Sequence, residues 1–253
     1  MSKLVVGNLK MNILSLAERE RYFESFKKEM SGKRLKNIQI ALCPPAVHLE
    51  AFRKIKSKRV ILGAQNIFWE RAGAYTGEIS PSMAKNMGAD CVILGHSERR
   101  RYFCEKGEEI NLKIKAALKV GIAPIICVGE NEVEKSSGQI LRVVTRQVRE
   151  ALADVSRIKA EQLIIAYEPV WAIGTDIIPS ANEIMEAKLL IRKILVDIFE
   201  KKYANAVRII YGGSVNFKTA KETCVDPGMD GVLVGRESLA PYEFIKIAEI
   251  INQ

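Results

Sequence analysis

The chain has 253 residues, of which 48% are hydrophobic and 27% are charged, and this composition excludes an intrinsically disordered protein. No apolar run approaches the length of about 18 residues that predicts a membrane span. The formal net charge is +9, but the basic residues are spread along helical stretches beside acidic ones, which favours a solvated surface over a nucleic-acid-binding stripe.

Eight short apolar runs predict eight β-strands. Each run is rich in β-branched residues and ends in glycine, asparagine, proline or a polar residue. The runs lack the apolar–polar alternation of half-exposed strands, so they predict parallel strands that are covered on both faces. In chain order they are KLVVGN from residue 3, IQIALCPP from 38, RVILGAQN from 59, CVILGHSE from 91, IAPIICVGE from 122, QLIIAYEP from 162, VRIIYGGS from 207 and DGVLVGRES from 230.

Segments with helical periodicity lie between the predicted strands. Ser80 and Pro81, for example, predict the N-cap and first residue of a helix. A β–α alternation repeated eight times predicts an α/β fold, a closed (β/α)8 barrel that forms one domain over residues 1–253. The alternative is a doubly wound open sheet. The first strand-to-helix turn lacks GxGxxG and the chain has no Walker A motif, so dinucleotide or ATP binding has no support.

The barrel fold predicts where the polar residues meet, because its active sites lie at the carboxyl ends of the strands. Polar or glycine residues follow six of the predicted strands, and closure of the sheet would bring them together at one mouth. They are Asn8 and Lys10, Gln65 and Asn66, His96 to Glu98, Glu168, Gly212 to Ser214, and Gly235.

Three of these residues have side chains suited to acid–base chemistry. Glu168 ends an apolar strand, and partial desolvation strengthens a carboxylate as a base. His96 precedes SERR, a predicted first helical turn, and the helix dipole favours an uncharged ring that donates a hydrogen bond to a substrate oxygen. Lys10 can hold an anionic substrate and stabilise a developing oxyanion. Each of these residues alone could have a purely structural role, but their common position at the mouth of the predicted barrel favours a catalytic role.

The remaining residues at the mouth complete a candidate site. The glycine-containing turns YGGS and VGRES follow the last two strands, where this fold commonly binds phosphate. Asn8 and Glu98 are predicted to orient Lys10 and His96, whereas His48 is interpreted as structural. The combination predicts proton abstraction next to a carbonyl in a phosphorylated substrate. The two histidines lack ligand spacing, so no metal site is predicted.

The cysteines indicate a reducing compartment. Their number is odd, no CxxC pair occurs, and Cys43, Cys91 and Cys127 lie in or beside apolar runs. The N-terminal segment is too short in its apolar part for a signal peptide. These features predict a cytoplasmic protein.

Several motifs occur in the order found in the triose-phosphate isomerase family, and the chain resembles that family from residue 7 to residue 239. The motifs are GNLKMN, GAQN, GAYTGEIS, LGHSERR, CVGE, AYEPVWAIGT, YGGSV and DGVLVG. The resemblance implies a TIM-barrel isomerase of glycolysis and gluconeogenesis that interconverts dihydroxyacetone phosphate and glyceraldehyde 3-phosphate through an enediolate without a cofactor. Glu168, His96 and Lys10 would be catalytic, with Asn8 and Glu98 as supports.

The resemblance also implies roles for residues outside that catalytic group. Backbone amides of Gly174, Ser214, Gly235 and Arg236 would bind the phosphate. Residues 169–175 would form a lid with a stiff first hinge. Tyr211 would hold the closed lid, and Thr76 would lie near the active site of a second subunit in a homodimer. A loop that packs only on itself is the alternative for residues 67–77.

Five features depart from the family pattern: Leu9, Cys104, Asp176, Arg236 and a shortened second hinge, DIIPSANE. They leave two further hypotheses open. One is a different phosphosugar enzyme on the same barrel. The other is a non-catalytic phosphate-binding or adhesive barrel with an altered lid.

Overall fold

The computed structural model describes residues 2–175 and 177–252. Eight parallel strands form a closed barrel in sequential order, and the first strand pairs with the last. This confirms the predicted (β/α)8 fold and rules out the open sheet. The strands are β1 Lys3–Asn8, β2 Ile38–Cys43, β3 Val60–Ala64, β4 Ala89–Leu94, β5 Ala123–Val128, β6 Ile164–Tyr167, β7 Arg208–Tyr211 and β8 Gly231–Val234.

Eight α-helices lie within the described ranges. They are α1 Leu16–Met30, α2 Pro81–Asn86, α3 Ser97–Tyr102, α4 Gly107–Lys119, α5 Glu132–Ser136, α6 Ile140–Leu152, α7 Ala181–Ala204 and α8 Pro241–Ile251. Ser80 caps α2 as predicted, because its side chain accepts a hydrogen bond from the Met83 N–H. None of these helices is both long and apolar enough to cross a membrane.

Two of the strand connections contain no α-helix. The β2–β3 connection contains two 3-10 turns, Ala46–His48 and Ala51–Ile55, and the β7–β8 connection contains one π-helical turn, Lys221–Val225. Further 3-10 turns span Arg157–Gln162, Val170–Ala172 and Arg236–Leu239. The last two begin within three residues of the ends of β6 and β8, so they shape the mouth of the barrel.

The hydrophobic core has two layers, one inside the barrel and one between the strands and the helices. Alternate residues of a strand belong to different layers: Leu4 and Val6 of β1 point inward, whereas Val5 packs under the helices. Because both faces of each strand are buried, the strands read as continuous apolar runs. The outer layer includes an aromatic group in which Phe23 packs edge-on against Phe52 with ring centroids 4.8 Å apart.

Two thiols fill the barrel interior beside a glycine. Cys43 of β2 and Cys91 of β4 lie on either side of Gly63 of β3, where an added Cβ would lie 2.4 Å from the Cys43 Sγ and 2.8 Å from the Cys91 Sγ. A hydrogen bond to Cys91, together with burial, raises the pKa of the Cys43 thiol well above its ordinary value. These cysteines therefore act as small packing groups, in agreement with the interpretation from sequence.

We expect Gly63→Ala to lower the free energy of unfolding by about 1–3 kcal/mol, the usual cost of adding a methyl group to a packed core. Urea denaturation measures this loss. Adding Cys43→Ala should recover part of it, because that substitution removes the sulphur nearest to the new methyl group. Equal destabilisation with and without Cys43 would show that the steric contact is not the cause.

Candidate active site

The carboxyl ends of the strands surround a cavity of about 220 Å³. Its lining contains eight of the predicted site residues: Asn8, Lys10, His96, Glu168, Gly174, Ser214, Gly235 and Arg236. The other three predicted residues lie outside this lining. Glu98 contacts Lys10 from the side, Tyr211 is buried at the end of β7, and Thr76 is exposed on the loop after β3.

Glu168 and His96 face each other in the cavity. Glu168 follows β6 directly and is 2% exposed. Its Oε2 accepts a hydrogen bond of 3.2 Å from the Ser97 N–H, and its Oε1 lies 3.5 Å from the His96 Nε2. Within the described part of the chain, Oε1 accepts no hydrogen bond. The carboxylate is therefore held by one oxygen, while the other is directed towards the imidazole.

The position of His96 at the N-terminus of a helix shows which ring nitrogen carries the proton. His96 is the N-cap of α3, and its Nδ1 accepts a hydrogen bond of 3.2 Å from the Glu98 N–H. An accepting Nδ1 carries no proton, so the uncharged ring has its proton on Nε2, which faces the cavity. This agrees with the sequence argument that the ring lies at the positive end of a helix.

Lys10 is held in an unusual backbone conformation. Its φ is +51°, in the left-handed region, which costs a non-glycine residue about 1–3 kcal/mol. The Lys10 N–H donates to Asn8 Oδ1 at 3.0 Å, and Gln65 Nε2 donates to the Lys10 carbonyl oxygen at 2.9 Å. Its Nζ lies 2.6 Å from Glu98 Oε1, while the other oxygen of Glu98 lies 3.7 Å from His96 Nδ1. Glu98 thus contacts both the ammonium group of Lys10 and the imidazole ring of His96.

The opposite end of the cavity is built from backbone. Gly235 precedes the 3-10 turn Arg236–Leu239, and the first N–H groups of such a turn have no acceptor within it. The Ser214 hydroxyl donates to the carbonyl oxygen of Ala172 at 2.7 Å, and the carbonyl oxygen of Thr175 lies 3.3 Å from the same Oγ. Ser214 therefore joins the end of β7 to the predicted lid.

The first hinge of the predicted lid is anchored by an acid that sequence reasoning did not single out. Glu130 is fully buried after β5 and accepts hydrogen bonds from the Tyr167 hydroxyl at 3.0 Å and the Trp171 indole N–H at 2.7 Å. Its signal in the sequence is a carboxylate directly after the apolar run IICVG. The predicted effect of Asp176 on the lid lies outside the described residues.

Tyr211 has no observed contact to the lid through its hydroxyl. That oxygen is buried and has no hydrogen-bond partner among residues 2–175 and 177–252. Burial raises the pKa of Tyr211 well above its ordinary value, so the hydroxyl keeps its proton. Its role in holding the lid stays a prediction.

Three further residues shape the surroundings of Glu168. Ser97 donates the backbone hydrogen bond described above. At Gly212 an added Cβ would lie 2.7 Å from the Glu168 Cγ, so this glycine leaves room for the carboxylate. Burial, with a smaller effect of Glu168, raises the pKa of the Cys127 thiol well above its ordinary value. The close packing of Gly212 against Glu168 had one signal in the sequence, the double glycine of YGGS. That motif was interpreted as a phosphate-binding turn.

The fold and this arrangement define a (β/α)8-barrel enzyme of the acid–base class with a small polar cavity. Within the described ranges, no group of three or more His, Cys, Asp and Glu side chains is arranged to hold a metal ion. A protonated Nε2, an ammonium group and a carboxylate converge on the cavity, and such groups can move a proton and stabilise a developing oxyanion.

Comparison with known proteins identifies the family. The family model for triosephosphate isomerase matches residues 3–251. The triosephosphate isomerases of Dictyoglomus turgidum and Dictyoglomus thermophilum are both 43% identical to this chain, over 96% and 98% of each chain respectively. That of Carboxydothermus hydrogenoformans is 45% identical over 87% of this chain and 88% of its own.

The chain belongs to the triosephosphate isomerase family. Its activity is the interconversion of dihydroxyacetone phosphate and glyceraldehyde 3-phosphate in glycolysis and gluconeogenesis. This confirms the enzyme and the reaction predicted from the sequence. The hypotheses of a different phosphosugar enzyme and of a non-catalytic barrel are not supported.

We expect Gly212→Ala to lower kcat by about 100-fold, because the new methyl group would displace the Glu168 side chain and a shift of about 1 Å can have an effect of that size. Steady-state kinetics with glyceraldehyde 3-phosphate measures it. Gly63→Ala is a matched control, since it adds the same methyl group to the barrel interior against two cysteines. The control should unfold more easily but keep its kcat. A Gly212→Ala enzyme with unchanged kcat would contradict the proposed contact.

Proposed function

We propose that Glu168, His96 and Lys10 carry out the isomerisation. Glu168 takes a proton from the carbon next to the carbonyl group of dihydroxyacetone phosphate and returns it to the neighbouring carbon. Between these two transfers His96 gives its Nε2 proton to the former carbonyl oxygen and takes the proton of the neighbouring hydroxyl, so one oxygen becomes a hydroxyl and the other a carbonyl. The ammonium group of Lys10 stabilises the negative charge on these oxygens. The observation that carries this assignment is the approach of Glu168 Oε1 to His96 Nε2 at 3.5 Å on the wall of the cavity.

Glu168 turns towards the substrate in this proposal. Its Oε2 is bound to the Ser97 N–H at 3.2 Å, so the carboxylate exchanges this hydrogen bond for a position over the substrate carbon. The exchange is inexpensive for two reasons. Only one weak backbone hydrogen bond is lost, and the missing Cβ of Gly212 leaves space beside the Glu168 Cγ.

The phosphate group is bound at the opposite end of the cavity. Backbone amides of Gly174, Ser214, Gly235 and Arg236 are the donors, and all four residues line the cavity. The exposed Arg236 side chain adds a positive charge on the phosphate side. Gly235 lies beside Lys10, because an added Cβ there would be 3.8 Å from Lys10 Nζ, in ordinary van der Waals contact.

A lid over the cavity completes the site. It comprises residues 169–175, and its first hinge includes the start of the 3-10 turn Val170–Ala172. A second hinge leads from the lid into the first turn of α7, whose N-cap is Ser180. Lid closure would exclude water, strengthen the electrostatic interactions with the enediolate and protect this intermediate from losing phosphate. We assign Tyr211, with its unpartnered buried hydroxyl, to hold the closed lid.

We further propose that the enzyme is a homodimer. The loop after β3 is braced by its own aromatic residues: the Phe68 ring stacks on Trp69 at 3.9 Å and lies 4.5 Å from Tyr75. The loop therefore packs partly on itself, yet Tyr75 is 43% exposed and Thr76 is exposed at its tip. A loop that is rigid and still exposes an aromatic side chain is suited to insertion into a partner.

The surface that would receive this loop lies beside the active site. A second cavity of about 530 Å³ shares Lys10, His96 and Glu98 with the catalytic surroundings. Its rim carries the exposed apolar residues Met11 and Phe103. Insertion of Thr76 from a second copy would cover these side chains and support Lys10, so association and catalysis would be linked.

The cytoplasm is the proposed location. All five cysteines are unpaired thiols, and four of them are buried. Free thiols of this kind persist in a reducing compartment, which is also where a glycolytic reaction takes place.

A coupled assay for triose-phosphate interconversion tests the role of the base. We expect Glu168→Gln to lower kcat by about 10²–10⁴-fold or more, because the amide cannot accept the proton. Glu161→Gln is the matched control, since Glu161 is exposed in the 3-10 turn Arg157–Gln162 before β6 and does not line the cavity. Its kcat should stay within a few-fold of the starting enzyme. Similar losses in both variants would remove Glu168 from the mechanism.

Sedimentation velocity at micromolar concentration tests the dimer, for which we expect twice the mass of one chain. Phe103→Arg should shift the chain towards monomer and lower kcat, because it places a charge on the rim of the receiving cavity. Ile158→Arg is the control: Ile158 is 73% exposed, compared with 67% for Phe103, and lies in a 3-10 turn before β6. A monomeric starting enzyme with full activity would refute the proposal.

A further inference from the structure

One ammonium group contacts both ends of the proposed lid. Lys135 is on the short helix α5, and its Nζ lies 3.1 Å from the centroid of the Trp171 ring. The same Nζ lies 3.5 Å from Glu183 Oε1. Trp171 belongs to the first hinge, and Glu183 is the last residue of the second hinge and lies in the first turn of α7. The reaction as described above gives Lys135 no role.

Glu183 fixes the point where the lid returns to the barrel. Its Oε2 accepts hydrogen bonds from the Ser180 N–H at 2.8 Å and the Ser180 hydroxyl at 2.9 Å. The Ser180 Oγ in turn accepts from the Glu183 N–H at 3.2 Å, which completes a capping box. Hydrogen bonds from Ser180, with a smaller effect of Lys135, lower the pKa of Glu183 and keep it ionised. Lys135 therefore pairs with the carboxylate that defines the end of the lid.

Trp171 is held on its edge and on its face by different groups. Its indole N–H donates to the buried Glu130 at 2.7 Å, whereas the Lys135 ammonium covers the ring. A cation over an indole face is a favourable electrostatic contact that survives partial exposure. A cavity of about 380 Å³ borders the ring, lined by aliphatic residues of α6 and α7 such as Leu141 and Leu190. The indole thus has room to move without disturbing the core.

We propose that Lys135 is a positioning residue that couples the two hinges of the lid. One ammonium group contacts both Trp171 and Glu183. Displacement of the indole therefore weakens the contact of Lys135 with Glu183 at the start of α7, and the two ends of the lid move together. This inference rests on the proposed function, in which the lid closes over the substrate. Lys135 acts through these two residues and is given no contact with the substrate.

Four variants test the coupling. Lys135→Met keeps the length of the side chain but removes the charge, Lys135→Arg retains a cation, Glu183→Gln removes the second partner, and the fourth combines Lys135→Met with Glu183→Gln. The chain has two tryptophans, so Trp69→Phe leaves Trp171 as the single indole reporter. Each variant is made with and without Trp69→Phe. Lys246→Met is the matched control, because Lys246 Nζ lies 3.8 Å from the Phe217 ring centroid on another part of the barrel.

We expect Lys135→Met to lower kcat/KM for glyceraldehyde 3-phosphate by about three- to tenfold, the range expected for loss of a partly exposed cation–π contact. Trp171 emission should shift, and its response to added inorganic phosphate should change in midpoint. Lys135→Arg should restore both values. Glu183→Gln should lower kcat/KM on its own but add little to Lys135→Met, because both substitutions break one bridge. Lys246→Met should change nothing.

Three results would overturn the proposal. They are a kcat/KM within twofold of the starting value in Lys135→Met, unchanged Trp171 emission in that variant, or fully additive effects of Lys135→Met and Glu183→Gln. The emission measurement needs no turnover, so it tests the contact of Lys135 with Trp171 independently of the catalytic roles proposed above. Loss of activity in Glu168→Gln together with no effect in Lys135→Met would leave the proposed function in place and remove only the coupling. Thermal unfolding of each variant separates lost coupling from lost fold.

Discussion

Closure of the sheet between β1 and β8 is the constraint on which the site depends. The two strands pair in parallel register, and at Gly231 an added Cβ would lie 1.9 Å from the Leu4 carbonyl oxygen. The strands can approach this closely only because glycine has no side chain. Closure brings Lys10, which follows the first strand, next to Gly235, which follows the last one. A cation from the start of the chain and amides from its end thereby face one cavity.

The end of β6 joins Glu168, whose backbone is fixed, to the start of the proposed lid. The Glu168 N–H donates to the Val128 carbonyl oxygen at 2.7 Å, and the Gly212 N–H donates to that of Tyr167 at 2.8 Å. Neighbouring strands therefore fix the backbone on both sides of the base. Two residues later the chain leaves the sheet, held mainly through Glu130. The Val170 N–H also donates to the Glu130 carbonyl oxygen at 2.9 Å, so in the proposed mechanism the lid moves beyond this hydrogen bond and the backbone of Glu168 stays in place.

The sequence predicted the fold, and the meeting of polar residues at one mouth, because both follow from the pattern of the strands. Continuous apolar runs identify strands buried on two faces, and parallel closure forces their polar ends together, which was enough to group Lys10, His96 and Glu168. Contacts that depend on side-chain reach were not predictable. Examples are the Glu130 carboxylate under Trp171, the Lys135 ammonium over the same ring, and the crowding of Glu168 by Gly212. Each of these joins different strand–helix units, and no spacing in the chain encodes it.

The free enzyme retains several unfavourable features at one place. Among residues 2–175 and 177–252, five buried side-chain polar atoms lack a hydrogen-bond partner, and Glu168 Oε1 and Tyr211 Oη are two of them. Each such atom costs about 1–3 kcal/mol, and the left-handed Lys10 adds a comparable strain. In the proposed mechanism the substrate and the closed lid supply partners for both atoms. The cost of these unpartnered atoms is removed most completely when Glu168 holds the substrate proton. This stabilises the transition state more than the bound substrate, so it lowers the activation barrier and does not only strengthen binding.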